Sequence, residues 1–217
     1  MSDRETGPAR SVVLDRIRAA LDDRPPVVDV PRGYATTLPA GADVIGRFHE
    51  RVADYQANVH RVDDTQLAAA IANILAGHDA TRIVAPDGVP DAWFAMMGSG
   101  LEPIADDPPL SHAELDAVDG VLTGCAVAIA ETGTIVLDAG VAQGRRALSL
   151  LPDLHVCVVR SDQVVGTIAE ALDRLDPTRP LTWISGPSAT SDIELRRVEG
   201  VHGPRRLEVV IVDRQDG

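Results

Sequence analysis

The chain has 217 residues and a formal net charge of −13 at pH 7, with 45% apolar residues but only 3% aromatic ones. Such a surface repels a phosphate backbone, and the shortage of rings removes the stacking platforms of single-strand binders, so nucleic acid is excluded as a partner class. A core without aromatics must rest on Val, Ile, Leu and Ala, which suits buried strands covered by helices.

Residues 1–10 are polar. Ser11 is placed to cap a helix in which Leu14, Ile17 and Leu21 share a face. Residues 22–39 collect prolines, charges and a glycine and read as an extended connection. Residues 1–40 are therefore expected to form an N-terminal helix and connection, and residues 41–217 the main domain. A long helix is predicted after Asp43, with Val44, Phe48, Val52, Tyr55 and Val59 spaced by three or four. A second begins near Asp64, carries Leu67, Ala70, Ile71, Ile74 and Leu75, and stops at Gly77.

Beyond Thr81 the texture changes to short apolar runs. Strands are predicted at 82–85, 118–123, 134–138, 155–160, 181–185 and 207–213. A short helix is expected at 90–97. Another, capped by Asp162, carries Val165, Ile168, Leu172 and Leu175 and ends at Pro177. Strands alternating with helices predict an α/β fold with a mostly parallel sheet.

The cysteines are Cys125 and Cys157, with no CxxC pair, so a structural zinc or a protein-held iron–sulfur cluster is not expected in this chain. No histidine pattern of the HExxH kind appears, so no metal site is expected either. There is no signal-peptide apolar region and no apolar run of membrane-spanning length. A cytoplasmic protein without membrane contact is the expectation.

Two loops concentrate the chemistry. The first, residues 123–134, ends in Glu131-Thr132-Gly133-Thr134. Gly133 permits close backbone approach, the threonines supply hydroxyls, and Glu131 supplies a carboxylate. Ligands of open α/β sheets gather beyond the carboxyl ends of strands, which is where such a loop is expected. Glu131 is either a general base, nucleophile or ligand anchor, or a turn carboxylate capping backbone N–H groups. Cys125 is either a reactive thiol or a small buried apolar residue.

The second loop, residues 185–204, begins Ser185-Gly186-Pro187-Ser188 and adds Thr190 and Ser191 before Asp192. Backbone N–H groups at such a turn suit an anion, unless Asp192 caps the following helix and occupies the cradle itself. It lacks the Lys of a Walker A loop, and Gly98-Ser99-Gly100 lacks the third glycine of a dinucleotide fingerprint. His202, before Gly203-Pro204, either faces an anion or is a hydrogen-bonded loop histidine. Arg145–Arg146 and Arg205–Arg206 are local positive charge on an acidic background. The candidate set is thus Glu131 and His202 for catalysis, with Thr132, Gly133, Thr134, Ser185, Gly186, Ser188, Thr190, Asp192, Gly203 and Arg145 for a small carboxylate or other anion.

The segments Ala130-Glu-Thr-Gly-Thr-Ile-Val-Leu137, Leu148-Ser-Leu-Leu-Pro-Asp-Leu154, Ser185-Gly-Pro-Ser188, Asp192-Ile-Glu194 and Val198-Glu-Gly-Val-His-Gly-Pro204 together resemble the LUD-domain family, over about residues 40–213. The resemblance implies a Rossmann-like, mostly parallel sheet of the NagB/RpiA/CoA-transferase type. It also implies a part in oxidising L-lactate to pyruvate beside two companions, one with ferredoxin-like iron–sulfur motifs and one with CCG repeats. Iron–sulfur clusters are then expected in those partner subunits. CoA transferases with a glutamate nucleophile and isomerases with carboxylate bases share this kind of fold. Through that analogy Glu131 would serve a stand-alone isomerase or acyl-transfer enzyme. A non-catalytic assembly module built on the helices at 43–59 and 64–76 is the remaining alternative.

Overall fold

The computed structural model of the chain describes residues 8–21, 29–98, 100–191, 197–199 and 203–214. Two compact units form, Met1–Tyr34 and Ala35–Gly217. Among its described residues the first carries helix α1 (Pro8–Ala20), which opens on a proline rather than on the Ser11 cap. Proline is well placed there, because the first helical N–H has no partner in any case.

The second unit is a three-layer α/β arrangement around a six-stranded parallel sheet. In chain order the strands are β1 (Asn58–Asp63), β2 (Arg82–Ala85), β3 (Glu102–Ala105), β4 (Gly120–Thr123), β7 (Leu154–Arg160) and β12 (Arg206–Asp213). Their spatial order is β1-β12-β7-β4-β2-β3, every pair parallel. Between β4 and β7 the chain departs to make β5 (Val127–Ile129) and β6 (Thr134–Leu137). With β8 (Val164–Val165) and β9 (Thr182–Ile184) these form a second sheet, ordered β8-β5-β6-β9, in which β6 runs antiparallel to both neighbours. The predicted strands at 134–138 and 181–185 therefore exist, but outside the parallel sheet.

Alternation along β7 and β12 builds the core on both faces, since successive strand side chains point oppositely. Cys157, Val159, Leu207, Val209 and Ile211 pack against the second sheet and helix α2 (Val44–Asp54), which contributes Phe48 and Val52. Val156, Val158, Val210 and Val212 pack against α3 (Leu67–Gly77), through Leu67, Ile71, Ile74 and Leu75. Burying each such side chain stabilises by roughly 1.5–3 kcal/mol.

Several boundaries differ from the sequence expectation. Asp43 does cap α2, accepting from Gly46 N–H at 2.8 Å. That helix ends at Asp54, however, because Gln56 takes φ +66 and turns the chain into β1. Val59 is thus a strand residue paired with Val209, although its spacing also fits a helix. The helix expected to begin near Asp64 starts at Leu67, and the Asp63 carboxylate just before it receives the Thr65 and Gln66 N–H groups. The expected helix from Asp162 is broken into a 3-10 turn (Ser161–Gln163), β8, and α5 (Ile168–Arg174). A Thr167/Glu170 capping box starts α5 five residues later than expected by seating both end groups reciprocally. The helix at 90–97 is a single 3-10 turn, Asp91–Phe94. Helix α4 (His112–Asp116), strands β3 and β5, and the antiparallel pair β10 (Ala189–Ser191) and β11 (Arg197–Glu199) had no counterpart in the expectation.

Candidate functional site

Two chain segments far apart in sequence meet because β6 and β9 pair. The Glu131–Gly133 stretch is the turn of the β5–β6 hairpin, and Ser185 directly follows β9. Ile135 opposes Ile184, which brings the flanking hydroxyls together: Thr132 to Thr134 at 2.7 Å and Thr134 to Ser185 at 2.8 Å. Thr134 is buried and Ser185 exposed, so this hydroxyl chain runs from the interior to the surface.

Both loops close against the end of α2. A Cβ on Gly133 would fall 2.6 Å from the carbonyl carbon of Arg51, and one on Gly186 would fall 2.5 Å from Cβ of Tyr55. Each glycine also has positive φ, +61 and +82, where L side chains are strained. Tyr55 itself ends α2 and is partly exposed beside the loop. Further along, the Ser188 N–H donates to the Pro204 carbonyl at 2.8 Å, and Gly203 lies against Ser188. Six of the proposed residues thus converge: Thr132, Gly133, Thr134, Ser185, Gly186 and Ser188, with Gly203 beside them. Thr190 contributes backbone to β10. Asp192 and His202 lie outside the described residues.

Glu131 sits at the tip of the turn, exposed. Its N–H donates to the Gly166 carbonyl at 3.0 Å, and its carboxylate makes no hydrogen bond or ion pair among the described residues. It therefore caps no backbone there.

The loops occupy the amino edge of the parallel sheet, opposite to the edge that the rule for open α/β sheets had suggested. Arg206 at the start of β12 donates to the Asp153 carbonyl just before β7, and the Arg205 guanidinium pairs with the Asp153 carboxylate. The second loop therefore enters at the amino ends of both strands. The reason is the second sheet: β5 carries the chain back from the end of β4 before the hairpin turns.

Arg145 is not part of this cluster. Its guanidinium grips Asp106 bidentately at 2.7 and 2.9 Å and also donates to the Leu110 carbonyl. Burial pushes the Asp106 carboxyl up, but hydrogen bonds from Arg145 and Leu110 and the adjacent charge outweigh it and hold it below the usual range. This pair borders the carboxyl edge, where β2 leads outward to β3 and β4 leads the other way to β7. A 590 Å³ cavity there is lined by Pro86, Asp87, Asp106, Asp107, Pro109 and Gly144, among others. Its ionisable lining is acidic, so it disfavours a carboxylate or phosphate. Pro86-Asp87-Gly88 and Asp106-Asp107, which border it, carry no hydroxyl and no motif that marks them in the sequence.

Two buried polar clusters complete the inventory. Thr123 and His155 meet at 2.8 Å on adjacent strands, beside Cys125 and Cys157, and His155 Nδ1 has no partner. Elsewhere Glu208 on β12, 3% exposed, receives Asn58 at 2.7 Å, His60 at 2.8 Å and His78 at 2.7 Å. Burial raises its pKa, and those three hydrogen bonds more than reverse the effect. Among the described residues no group of three or more His, Cys, Asp or Glu could hold a metal ion. No helix among them is long and apolar enough to cross a membrane.

Comparison with known proteins places this geometry in a family. Residues 110–212 match the LUD domain, a span that holds both loops and β4 through most of β12. A "lactate utilization protein C" from Deinococcus radiodurans is 49% identical over 212 residues, 95% of this chain and 97% of that protein. Another of that name, from Geobacillus kaustophilus, is 30% identical over 68% of this chain and 69% of its own. The crystal structure of a DUF162 family protein from Deinococcus radiodurans aligns with TM-score 0.68 at 45% identity, covering 81% of this chain and 99% of that one. The chain belongs to the LUD-domain family of lactate utilization proteins.

Proposed function

We propose that this chain is a cytoplasmic subunit of a system that oxidises L-lactate to pyruvate, and that iron–sulfur and CCG-repeat partner proteins carry the electrons. The observation that carries the reading is near-full-length similarity, at 49% identity, to a protein named for lactate utilization. The sequence holds no CxxC pair, and the redox centres are proposed to lie in the partners. The hydroxyl chain Thr132–Thr134–Ser185, open at Ser185, with the Ser188–Pro204 turn beside it, is the proposed seat of the small carboxylate. Hydroxyls match carboxylate oxygens without needing Arg145.

The test is genetic and then structural. Deleting the gene should abolish growth on L-lactate as sole carbon source but leave growth on pyruvate intact. Complementation with a Thr134→Val, Ser185→Ala double variant should restore growth poorly despite normal protein levels. Unimpaired growth of the deletion strain, with no paralogue present, removes the lactate role. Full rescue by the double variant removes the hydroxyl site alone.

A further inference from the structure

We infer that the carboxyl edge of the parallel sheet holds a second ligand site, a cleft at the ends of β2 and β3 that takes a small organic cation, an amine or guanidinium on a short aliphatic body. The topology opens the cleft. Successive residues of a strand point to opposite faces, and on β2 Ile83 packs with the α3 cluster whereas Val84 packs with Leu115 of α4. Phe94, in the segment after β2, joins the Ile83 cluster, and Leu110, in the segment after β3, joins the Val84 cluster. The two segments thus part to opposite faces just past Ala85 and Ala105, which are paired in register. Such a divergence leaves a crevice beyond the carboxyl ends of the strands, the place where open α/β sheets bind ligands. The crevice is the 590 Å³ cavity at this edge, within the range of roughly 300–1,000 Å³ usual for small-molecule sites. A 340 Å³ cavity shares Ala85, Pro86, Asp87 and Ala105 with it and runs on to Val89 and Phe94.

Hydrogen bonds and close packing fix the walls. The Ala142 N–H donates to the Asp87 carbonyl at 2.9 Å, and the Gly124 N–H donates to the Ala142 carbonyl at 2.8 Å, so the segment after β6 bridges the ends of β2 and β4. That segment then brings Gly144 against Pro86, where a Cβ on the glycine would fall 2.8 Å from the Pro86 Cβ. Asp106 is held by the Arg145 fork and by the Leu110 N–H at 2.9 Å. The rest of the lining sets the ligand. Asp87 and Asp107 are exposed, and their carboxylates make no hydrogen bond or ion pair among the described residues. Two uncompensated negative charges therefore border a floor of Ala85, Pro86, Ala105 and Pro109. Carboxylates beside an apolar floor match a cation carried on methylene groups. A metal ion fits poorly, since no group of three or more His, Cys, Asp or Glu among the described residues could hold one. The hydroxyl chain of Thr132, Thr134 and Ser185 lies at the opposite edge, so this site stands independently of the lactate reading.

The experiment titrates agmatine and putrescine into the purified full-length protein by isothermal titration calorimetry at low salt. Saturable binding is expected, with a Kd of about 1 mM or tighter for at least one of them. Butanediol, which has the same carbon chain without charge, should give no heat of binding. Asp87→Asn and Asp107→Asn should each weaken binding about two- to fivefold, the range for a solvent-accessible ion pair, and the double variant about fivefold or more. Asp79→Asn removes the same charge from an exposed position between α3 and β2, at the amino edge, and should bind as the wild type does. Absence of saturable binding overturns the proposal, and so does unchanged binding in the double variant. Equal weakening by Asp79→Asn overturns it too, by showing attraction to the net charge alone. Mg²⁺ that binds more tightly than either amine and displaces it would make the cleft a metal site and likewise overturn the proposal.

Discussion

The Thr134 hydroxyl lies 2.8 Å from the Ser185 hydroxyl, and this contact joins the hairpin turn after β5 to the loop after β9. Because Thr134 is buried and also bonded to Thr132, it holds the middle of the chain of hydroxyls. Thr134→Val keeps the shape and removes the central link. The expected loss is about 1 kcal/mol, because Ser185 is exposed and recovers a bond to water. A double-mutant cycle with Ser185→Ala, measured by urea denaturation, should give a coupling of about 0.5–1 kcal/mol. Strict additivity would mean that the two hydroxyls do not bond in solution.

Gly133 makes the first loop possible in two separate ways. Its φ of +61 is strained for any L side chain, by roughly 1–2 kcal/mol. A methyl group would also press into the Arg51–Val52 backbone of α2 at 2.6–2.8 Å, and relieving such overpacking costs roughly 1–3 kcal/mol. Gly133→Ala should therefore destabilise by at least about 2 kcal/mol in a denaturant titration. A change under about 0.5 kcal/mol would show that the turn does not seat on α2 in solution.

How much of this was legible beforehand depended on whether a signal was local. The stripe of α3, the Asp43 cap of α2 and the buried strands β4, β7 and β12 each announce themselves within a few residues. Both loops stood out in the sequence, but neither their meeting nor the edge of the sheet where they meet was legible there. That edge depends on β5 reversing the chain, and three small apolar residues, Val127-Ala128-Ile129, carry no periodicity that marks a strand. The Glu208 cluster was invisible for the same reason: Asn58, His60, His78 and Glu208 are assembled only by the parallel pairing of β1 with β12 and by the end of α3. Arg145 stood out as charge in an acidic sequence, and only the structure shows that Asp106 consumes it.

Arg145 offers a clean separation of stability from binding. Its fork reaches both oxygens of Asp106 and the Leu110 carbonyl, a geometry that a lysine ammonium cannot copy. Arg145→Lys should lower stability by roughly 1–2 kcal/mol, the scale of a partly buried charged hydrogen bond. Growth on L-lactate should nevertheless be retained at permissive temperature, because the guanidinium is committed to Asp106. Lost growth with unchanged stability would put Arg145 back into the ligand site.

Glu208 contributes to the acid limb of stability. It is 3% exposed, and its pKa is depressed below the unfolded value of 4.5, because hydrogen bonds from Asn58, His60 and His78 outweigh the effect of burial. A carboxylate depressed in the folded state contributes stability that is fully present above its unfolded pKa. That stability is lost as pH falls from there through the folded value. Glu208→Gln should cost roughly 1.5–3 kcal/mol near neutral pH, the range for hydrogen bonds to a charged group. Asp63, Asp106, Asp119, Glu114 and Asp176 are also depressed, so the wild-type acid limb alone does not isolate Glu208. The difference between wild type and Glu208→Gln does, because the other carboxylates are common to both. That difference should shrink as pH falls below about 5, through the folded value of Glu208. A difference that remains constant through the acid range would show that Glu208 is not ionised in the folded protein, and that its three partners bind a neutral carboxyl.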